Sequence, residues 1–361
     1  MHRLLARPAA AVAGVLIAHR VNHSVATTEG SKPAERSQAV AASYAQRLST
    51  SDGTPYTLEY LNRSKRFTVW RGDGTRSTFS EMLSAAAEHD IVLLGEEHHD
   101  AVTHKLQEIL FARLAACRPV TLSLEMFETD VQHVVDEYLG GLARERDLLN
   151  DARPWGNYNT GYRPLVELAK AAGLPVVAAN APRRYVSAVG REGADVLTRG
   201  QPWSTRLRAD LPPLPLPPPS AAYLERLRRD PEVSRPAELT PIHESSGSAS
   251  AASAECPFIG LRREDGLLAP MLLWDATMAH AVAGALAAAE SDDAPSRPMA
   301  VHVCGRDHCL GIIEMLGRHY RPSASRPLII AFYPEAGLEA CAPHHLGVGD
   351  FVVLTDDACN S

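Results

Sequence analysis

The length, composition and charge of this chain are those of an ordinary globular protein. Its 361 residues are 45% hydrophobic and 22% charged, enough for one large core with appendages. A formal net charge of -7 and the lack of a basic stripe argue against a nucleic-acid partner, because such proteins concentrate basic side chains to neutralise phosphates. The six cysteines are widely spaced, which is unlike a disulfide scaffold, so we expect them to be mostly reduced.

Residues 1–28 predict a targeting segment that is not part of the fold. They contain no acidic residue, carry Arg3, Arg7 and Arg20, and include an apolar run from Ala9 to Ala18. That run is too short to span a bilayer as a helix, which needs about 20 residues, and we expect no transmembrane segment. The spread of arginines favours a mitochondrial presequence. A secretory signal cleaved near Ala26, or a plastid address, is the alternative.

Residues 29–65 are polar and weakly patterned, and predict a poorly ordered lead-in with a helical piece from Ala39 to Leu48. Helix and strand patterns alternate from there to residue 357. Alternation of this kind predicts a single α/β domain whose sheet is mostly parallel and flanked by helices. Apolar residues at helical spacing predict an amphipathic helix over Asp100 to Cys117. The expected strands are Phe67 to Trp70, Ile91 to Leu94, Val120 to Leu124, Pro175 to Ala178, Met299 to Val303, Leu328 to Phe332 and Phe351 to Leu354.

Residues 201–268 interrupt this alternation and are interpreted as a Pro/Ser/Ala-rich insertion. The proline run from Leu211 to Pro219 cannot hold a helix or a central strand, because proline lacks a donor and fixes φ. Ser245 to Ala254 consists entirely of Ser, Ala and Gly, which is typical of a flexible linker. A short helix is expected between them, near Ala221 to Arg229.

The strand Ile91 to Leu94 stops at Gly95 and continues into two carboxylates, two imidazoles and Asp100. In open α/β sheets, ligands collect beyond the carboxyl ends of the strands. Glu96 and His98 are therefore expected at a ligand site, with Glu97 and His99 in supporting roles. The alternative is a polar loop in which Asp100 caps the next helix, but a cap needs only one of these residues.

Two more strands carry the same arrangement. Glu125 follows the strand that ends at Leu124, and the strand ending at Val303 leads through Gly305 to His308. If the strands of His98 and Glu125 are neighbours, their ends lie about 4.8 Å apart. His98, Glu125 and His308 would then form a divalent metal site with open positions, or a general-base site with carboxylate support that also involves Glu96.

Other polar residues at this edge are weighed as follows. His104 is either a partner of the site or a solvent-facing histidine, and His302 is expected to be a core histidine. Cys304 and Cys309 are expected to be structural, since a zinc site needs a second close pair of ligands. Asp275 is explained as an acid at the start of a helix. Three aromatic residues before Pro164, namely Trp155, Tyr158 and Tyr162, either fix their loop to the domain or line a pocket. Arg183 and Arg184 follow the fourth strand and suit an anionic group.

In this order the motifs resemble those of the ChaN-like haem-binding domains of the Tiki superfamily, over roughly Phe67 to Leu354. The resemblance rests on six motifs: Gly95 to Asp100 with His104, Leu124 to Glu128, Trp155 to Pro164, Asn180 to Arg183, Trp274 to Ala279, and Gly305 with His308. Haem-binding relatives are expected to use dimers, stacked haems and tyrosine ligands. The resemblance therefore implies a haem cofactor, homodimers, and Tyr158 or Tyr162 as the iron ligand, with Arg183 and His104 also near the cofactor.

Hydrolase relatives in the same superfamily imply a second function. In those proteins both Gly-x-x-His motifs and the strand-end glutamate are active-site elements, which corresponds to His98, Glu125 and His308 here. The alternative function is thus a metal-dependent peptidase or esterase, and a scaffold without turnover is a third possibility. The cysteines near His308, the proline-rich insertion and the targeting segment depart from the family pattern. The targeting segment stands in place of the lipoprotein signal of bacterial haem binders, which argues against a role in surface iron uptake.

Overall fold

The computed structural model describes residues 33–49, 57–199, 209–229, 268–290, 297–321 and 327–356. The targeting segment and the linker Ser245 to Ala254 lie outside these ranges. The described strands are β1 (Phe67–Arg71), β2 (Arg76–Ser77), β3 (Ile91–Glu96), β4 (Val120–Glu128), β5 (Val176–Asn180), β6 (Met299–Gly305), β7 (Leu328–Glu335) and β8 (Phe351–Asp356). The helices are α1 (Pro33–Ser49), α2 (Leu58–Arg63), α3 (Phe79–Ala87), α4 (Ala101–Cys117), α5 (Gln132–Leu139), α6 (Glu145–Asp151), α7 (Tyr158–Gly161), α8 (Arg163–Ala172), α9 (Arg183–Glu192), α10 (Ala221–Arg229), α11 (Leu268–Ala289) and α12 (Arg306–Met315).

One eight-stranded sheet organises the domain, in the order β2-β1-β8-β7-β3-β6-β4-β5. The six strands from β8 to β5 are parallel, and β1 pairs antiparallel with β8, so the expected α/β class with a mostly parallel sheet is confirmed. All seven expected strands are present. The strands of His98 and Glu125 are not neighbours, because β6 lies between β3 and β4.

The sheet separates two apolar cores. Alternate residues of a strand point to opposite faces, so Val92 and Leu94 of β3 pack into one core while Ile91 and Leu93 pack into the other. The first core includes α4 and α8, and the second includes α9, α11 and α12. Coverage on both faces buries all six residues of β3, which explains why this strand is a continuous apolar run.

The lead-in is more ordered than its sequence predicts. Helix α1 extends well beyond the expected piece and packs along α4, burying Ala41 and Ala45. The Tyr44 hydroxyl donates to the Glu108 carboxylate at 2.6 Å. Because α1 covers the outer side of α4, even the carboxylate of Glu108 on that side is buried. The expectation of a loose lead-in is therefore corrected for residues 33–49.

The described part of the insertion also packs on the domain. Leu211, Tyr223 and Leu227 join the second core, and the expected short helix is α10. Helix α11 is long and apolar enough to cross a membrane, but 67% of its most apolar window is buried inside the domain, as in a core helix. It begins at Leu268, seven residues before Asp275, so the explanation of Asp275 as an acid at a helix start is wrong.

Candidate functional site

A buried carboxylate, Glu96, organises the end of β3. Its Oε1 accepts hydrogen bonds from His98 Nδ1 at 3.1 Å and from the Tyr162 hydroxyl at 2.5 Å. Its Oε2 accepts from Gln107 Nε2 at 2.8 Å and lies 3.6 Å from His104 Nε2. Helix α4 supplies Gln107 and His104 because it starts directly after the loop, at the Asp100 N-cap. Glu96 is thus held from three sides, and His104 is a partner of the site.

The same contacts shift the pKa values of this group. Burial acts to raise the pKa of Glu96, but the imidazoles of His104 and His98 outweigh it and hold the pKa at about 2. Burial acts to lower the pKa of His98, but Glu96 and Glu125 outweigh it and raise the value. His98 has a 19% exposed side chain and is therefore a partly accessible imidazole fixed at Nδ1. In the described residues, no hydrogen bond reaches its Nε2.

The end of β6 brings the other predicted residues close to His98. The Gly305 amide donates to Glu125 Oε2 at 2.7 Å, which links the ends of β6 and β4. The His98 ring lies against Gly305, where a Cβ would stand 3.2 Å from His98 Cε1 and 3.5 Å from His308 Cδ2. A side chain at this position would crowd the His98 ring, which would have to shift by a few tenths of an ångström. His308 Nε2 lies 3.8 Å from Glu125 Oε1.

Asp275 is a site residue that the sequence argument missed. Its Oδ1 accepts a 2.6 Å hydrogen bond from His308 Nδ1, and both side chains are buried. Burial acts to lower the pKa of His308, but the carboxylates of Glu125 and Asp275 outweigh it and raise the pKa to about 9. The resemblance could have identified Asp275, because Trp274 and Asp275 belong to one of its six motifs.

A cleft of about 230 Å³ opens beside these groups. Trp155 and Trp274 form part of its wall and also contact the two imidazoles: the Trp155 ring centroid is 4.7 Å from that of His98, and the Trp274 centroid is 6.1 Å from that of His308. The loop that carries Trp155 is fixed by Asn157, whose side chain donates to the His98 carbonyl at 2.6 Å. The full lining is Glu128, Trp155, Asn180, Ala181, Arg183, Val186, Ser187 and Trp274.

Of the four residues predicted to bind a cofactor, Arg183 lines this cleft. Its Nε is 3.3 Å from Glu128 Oε1, and its side chain is 58% exposed. Arg184 instead pairs with Asp130 and Asp210, which leaves it no comparable freedom.

The two predicted tyrosine ligands are buried outside the cleft lining. The Tyr162 hydroxyl donates to Glu96, and the buried Tyr158 hydroxyl has no hydrogen-bond partner among the residues that the structure describes. Burial raises the pKa of both phenols, and Glu96 raises that of Tyr162 further. Iron ligation by either tyrosine would therefore require movement of its loop and loss of a firmly held proton.

His302 and the two central cysteines occupy the core, as expected. His302 is fully buried with its Nδ1 2.8 Å from the Ser123 hydroxyl, and burial lowers its pKa to about 3. Cys304 and Cys309 are buried free thiols with their Sγ atoms 3.8 Å apart. None of these groups reaches the cleft lining.

The predicted metal triad does not form a compact ligand set. Within the described ranges, the one group of three residues whose ligand atoms all lie within 4.8 Å of one another is Glu335, His344 and His345. In that group His345 Nδ1 accepts from the Ala342 amide, so its Nε2 carries the proton and donates to Glu335 at 3.0 Å. We interpret this cluster as a set of hydrogen bonds that fixes the β7–β8 loop. A metal ion on His345 Nε2 would require the proton on Nδ1, but Nδ1 is the acceptor for the Ala342 amide.

Comparison with known proteins supplies one family match. The model of the family described as "Haem-binding uptake, Tiki superfamily, ChaN" matches residues 82–316. A solved structure described as "Cofacial heme binding to ChaN of Campylobacter jejuni" is similar at 14% identity and a TM-score of 0.49, over 80% of this chain and 97% of that one. No curated protein matches this chain.

Proposed function

Because this chain belongs to the ChaN family of haem-binding uptake proteins in the Tiki superfamily, we propose that it binds haem or a related iron porphyrin at the cleft between Trp155 and Trp274. His98 is not part of the cleft lining, but its ring packs against Trp155 at the edge of the cleft. The observation that carries the proposal is His98 itself. Its Nδ1 is tied to the buried Glu96 carboxylate, and its Nε2 has no hydrogen-bond partner in the described structure. A histidine bound to a carboxylate through one nitrogen is a stronger metal ligand through the other.

The cleft residues fit the rest of a porphyrin. Trp155 and Trp274 offer apolar aromatic surface, and Arg183 offers a largely exposed guanidinium that suits a propionate. At about 230 Å³ the cleft is smaller than the roughly 300–1,000 Å³ of sites that enclose a ligand, so it fits one edge of a macrocycle. Bound haem would supply an iron centre for ligand binding or electron transfer. The residues of the chain would orient it and hold the His98 proton on Nδ1.

Hemin titration followed at the Soret band tests the proposal. We expect a saturable shift of the Soret band with the wild type. His99→Ala is the control and should show the same shift, because the His99 imidazole takes no part in the hydrogen bonds around Glu96. His98→Ala should weaken binding at least tenfold, as expected for an iron ligand. An unshifted Soret band in the wild type would refute haem binding, and an unchanged affinity in His98→Ala would refute His98 as the ligand.

The tyrosines provide a separate arm of the same experiment. The resemblance implies Tyr158 or Tyr162 as the ligand, whereas their burial favours His98. We expect the double variant Tyr158→Phe, Tyr162→Phe to retain the Soret shift of the wild type. Loss of the shift in this variant, with an unchanged far-ultraviolet circular dichroism spectrum, would instead assign the iron to a tyrosine.

A hydrolase is the second candidate function, and the His308 environment favours it. An imidazole held by Asp275 on Nδ1 and facing Glu125 through Nε2 is an arrangement for moving protons. A bound divalent ion would activate water, and its candidate ligands would be His98, Glu125 and His308. Their ligand atoms are not gathered within 4.8 Å as they stand, which gives the metal-dependent form less support than the haem site.

Metal analysis of the protein as isolated separates the two functions. A hydrolase of this type should contain a divalent metal that both His98→Ala and His308→Ala lose, together with peptidase or esterase turnover. Protein without such a metal and without turnover, but with a hemin-dependent Soret shift, would exclude the second candidate and retain the first.

A further inference from the structure

Helix α10, which belongs to the insertion, reaches the His308 side of the site. The Tyr223 hydroxyl donates to Asp275 Oδ2 at 2.8 Å, while Asp275 Oδ1 receives the His308 Nδ1 proton. All three side chains are buried, with residue exposures of 4% or less. Its sequence predicts only a short helix inside an insertion, yet the segment completes a buried chain of hydrogen bonds from Tyr223 through Asp275 to His308.

Both ends of α10 are fixed to α12, the helix that carries His308. At the start of α10, the amide and hydroxyl of Ser220 each donate to the Glu314 carboxylate at 2.7 Å. Towards its end, Arg226 Nη1 donates to the Asp307 carbonyl at 3.0 Å. Tyr223 is therefore held at a defined place relative to His308 by contacts independent of its own hydroxyl.

Gly311 makes room for the carboxylate between these helices. A Cβ at this position would stand 1.7 Å from Asp275 Oδ2 and 3.0 Å from the Tyr223 ring. The backbone of α12 thus closes one side of the carboxylate, and Tyr223 binds the oxygen on that side. Arg226 Nη2 adds positive charge 4.0 Å from the same oxygen.

We propose that Tyr223 is a positioning residue for His308, acting through Asp275. A carboxylate bound only at Oδ1 could rotate about its χ2 angle and lose alignment with the imidazole. The Tyr223 hydroxyl removes that freedom because it binds Oδ2, and the aligned Oδ1 then keeps the proton on His308 Nδ1. His308 Nε2 is left facing Glu125. The use of this orientation by a ligand rests on the function proposed above, whereas the positioning itself does not.

A purely structural role for Tyr223 makes a different prediction. Its ring packs in the second core beside Leu227, and that packing would survive loss of the hydroxyl. Tyr223→Phe therefore isolates the hydrogen bond from the packing. Tyr138→Phe is the matched control, because Tyr138 is also buried and also donates to a carboxylate, that of Glu167, away from the site.

The test is proton NMR of the full chain without haem, followed by hemin titration. A proton on the Nδ1 of a buried histidine bound to a carboxylate resonates far downfield of the amides, and its loss in His308→Gln assigns the signal. We expect Tyr223→Phe to shift or broaden this signal while Tyr138→Phe leaves it unchanged. Hemin affinity should fall by up to about tenfold in Tyr223→Phe, because the His308 ring packs against Trp274 of the cleft wall and a less firmly held His308 leaves that wall less well fixed.

A His308 signal identical in Tyr223→Phe and the wild type would overturn the positioning role, whether or not haem binds. A shifted signal with unchanged hemin affinity would overturn the link between this positioning and the ligand. If the wild type fails to bind hemin while the signal shifts in Tyr223→Phe, the proposed function fails and the positioning role stands.

Discussion

The two Gly-x-x-His segments at the centre of the sheet share a frame but produce different imidazoles. His98 sits beside the cleft with a 19% exposed side chain, and Glu96 binds its Nδ1. His308 has a 5% exposed side chain and lies between Asp275 and Glu125, which raise its pKa to about 9 against the effect of burial. The Gly-x-x-His spacing fixes where each imidazole stands, while the side chains of neighbouring strands and helices determine whether the ring is accessible or buried with a raised pKa.

The largest expected effect concerns the carboxylate beneath His98. Glu96→Ala removes the partner of Tyr162, Gln107 and His98 and leaves these groups buried without it, so unfolding should become easier by about 3–5 kcal/mol. Glu97→Ala is the matched control, because Glu97 is half exposed and its ion pair with Arg306 should contribute at most about 1 kcal/mol. Urea denaturation measures both. Equal midpoints for the two variants would contradict the central role given to Glu96.

The next effect concerns the buried cation at His308 and is read from stability at alkaline pH. The folded-state pKa of about 9 lies above the ordinary value of 6.5, so the stabilisation is complete below pH 6.5 and is lost as pH rises through 9. The loss should be on the order of 3 kcal/mol. His308→Gln should flatten the denaturation midpoints between pH 6.5 and 9. A wild-type profile that is already flat there would contradict the charged state.

His302 predicts the opposite slope, on the acid side. Burial lowers its folded-state pKa to about 3, so the neutral ring is favoured and stability is lost as pH falls below 6.5. Between pH 6.5 and 5 the loss should be about 2 kcal/mol. Denaturation midpoints over this interval should be flatter in His302→Gln than in the wild type. An identical slope in the two proteins would show that His302 is not buried in its neutral form.

The smallest expected effect concerns the cleft. Arg183→Ala should weaken hemin binding only by about three- to fivefold, because the guanidinium is largely exposed and screened by solvent. Arg184→Ala is the contrasting variant: its ion pairs with Asp130 and Asp210 are structural, so stability should fall while intrinsic hemin affinity stays near that of the wild type. A loss of hemin affinity in Arg184→Ala together with a loss of stability in Arg183→Ala would contradict the roles given to the two arginines.

The sequence predicts the strands well because burial on both faces produces continuous apolar runs such as Ile91 to Leu94. It also predicts that Glu96, His98, Glu125 and His308 gather at one edge, since each follows a strand end. The position of β6 between β3 and β4 could not be predicted, because strand order depends on contacts between distant segments.

The missed partners have physical reasons as well. Asp275 sits within α11, and a local pattern does not reveal that its carboxylate faces His308 rather than a helix terminus. Tyr223 lies beyond a proline-rich run that indicates a spacer, yet packing against α12 gives it a defined position. Gln107 carries no motif at all. Its contact with Glu96 arises because α4 leaves the loop at the angle set by the Asp100 cap.

The packing of α1 along α4 determines where this chain can be shortened without damage. A protease cut or a cloning boundary after Ser49 would leave the Glu108 carboxylate without Tyr44 and would uncover the side of α4 that Ala41 and Ala45 protect. The folding unit is therefore expected to include Pro33–Ser49 rather than to begin at residue 66.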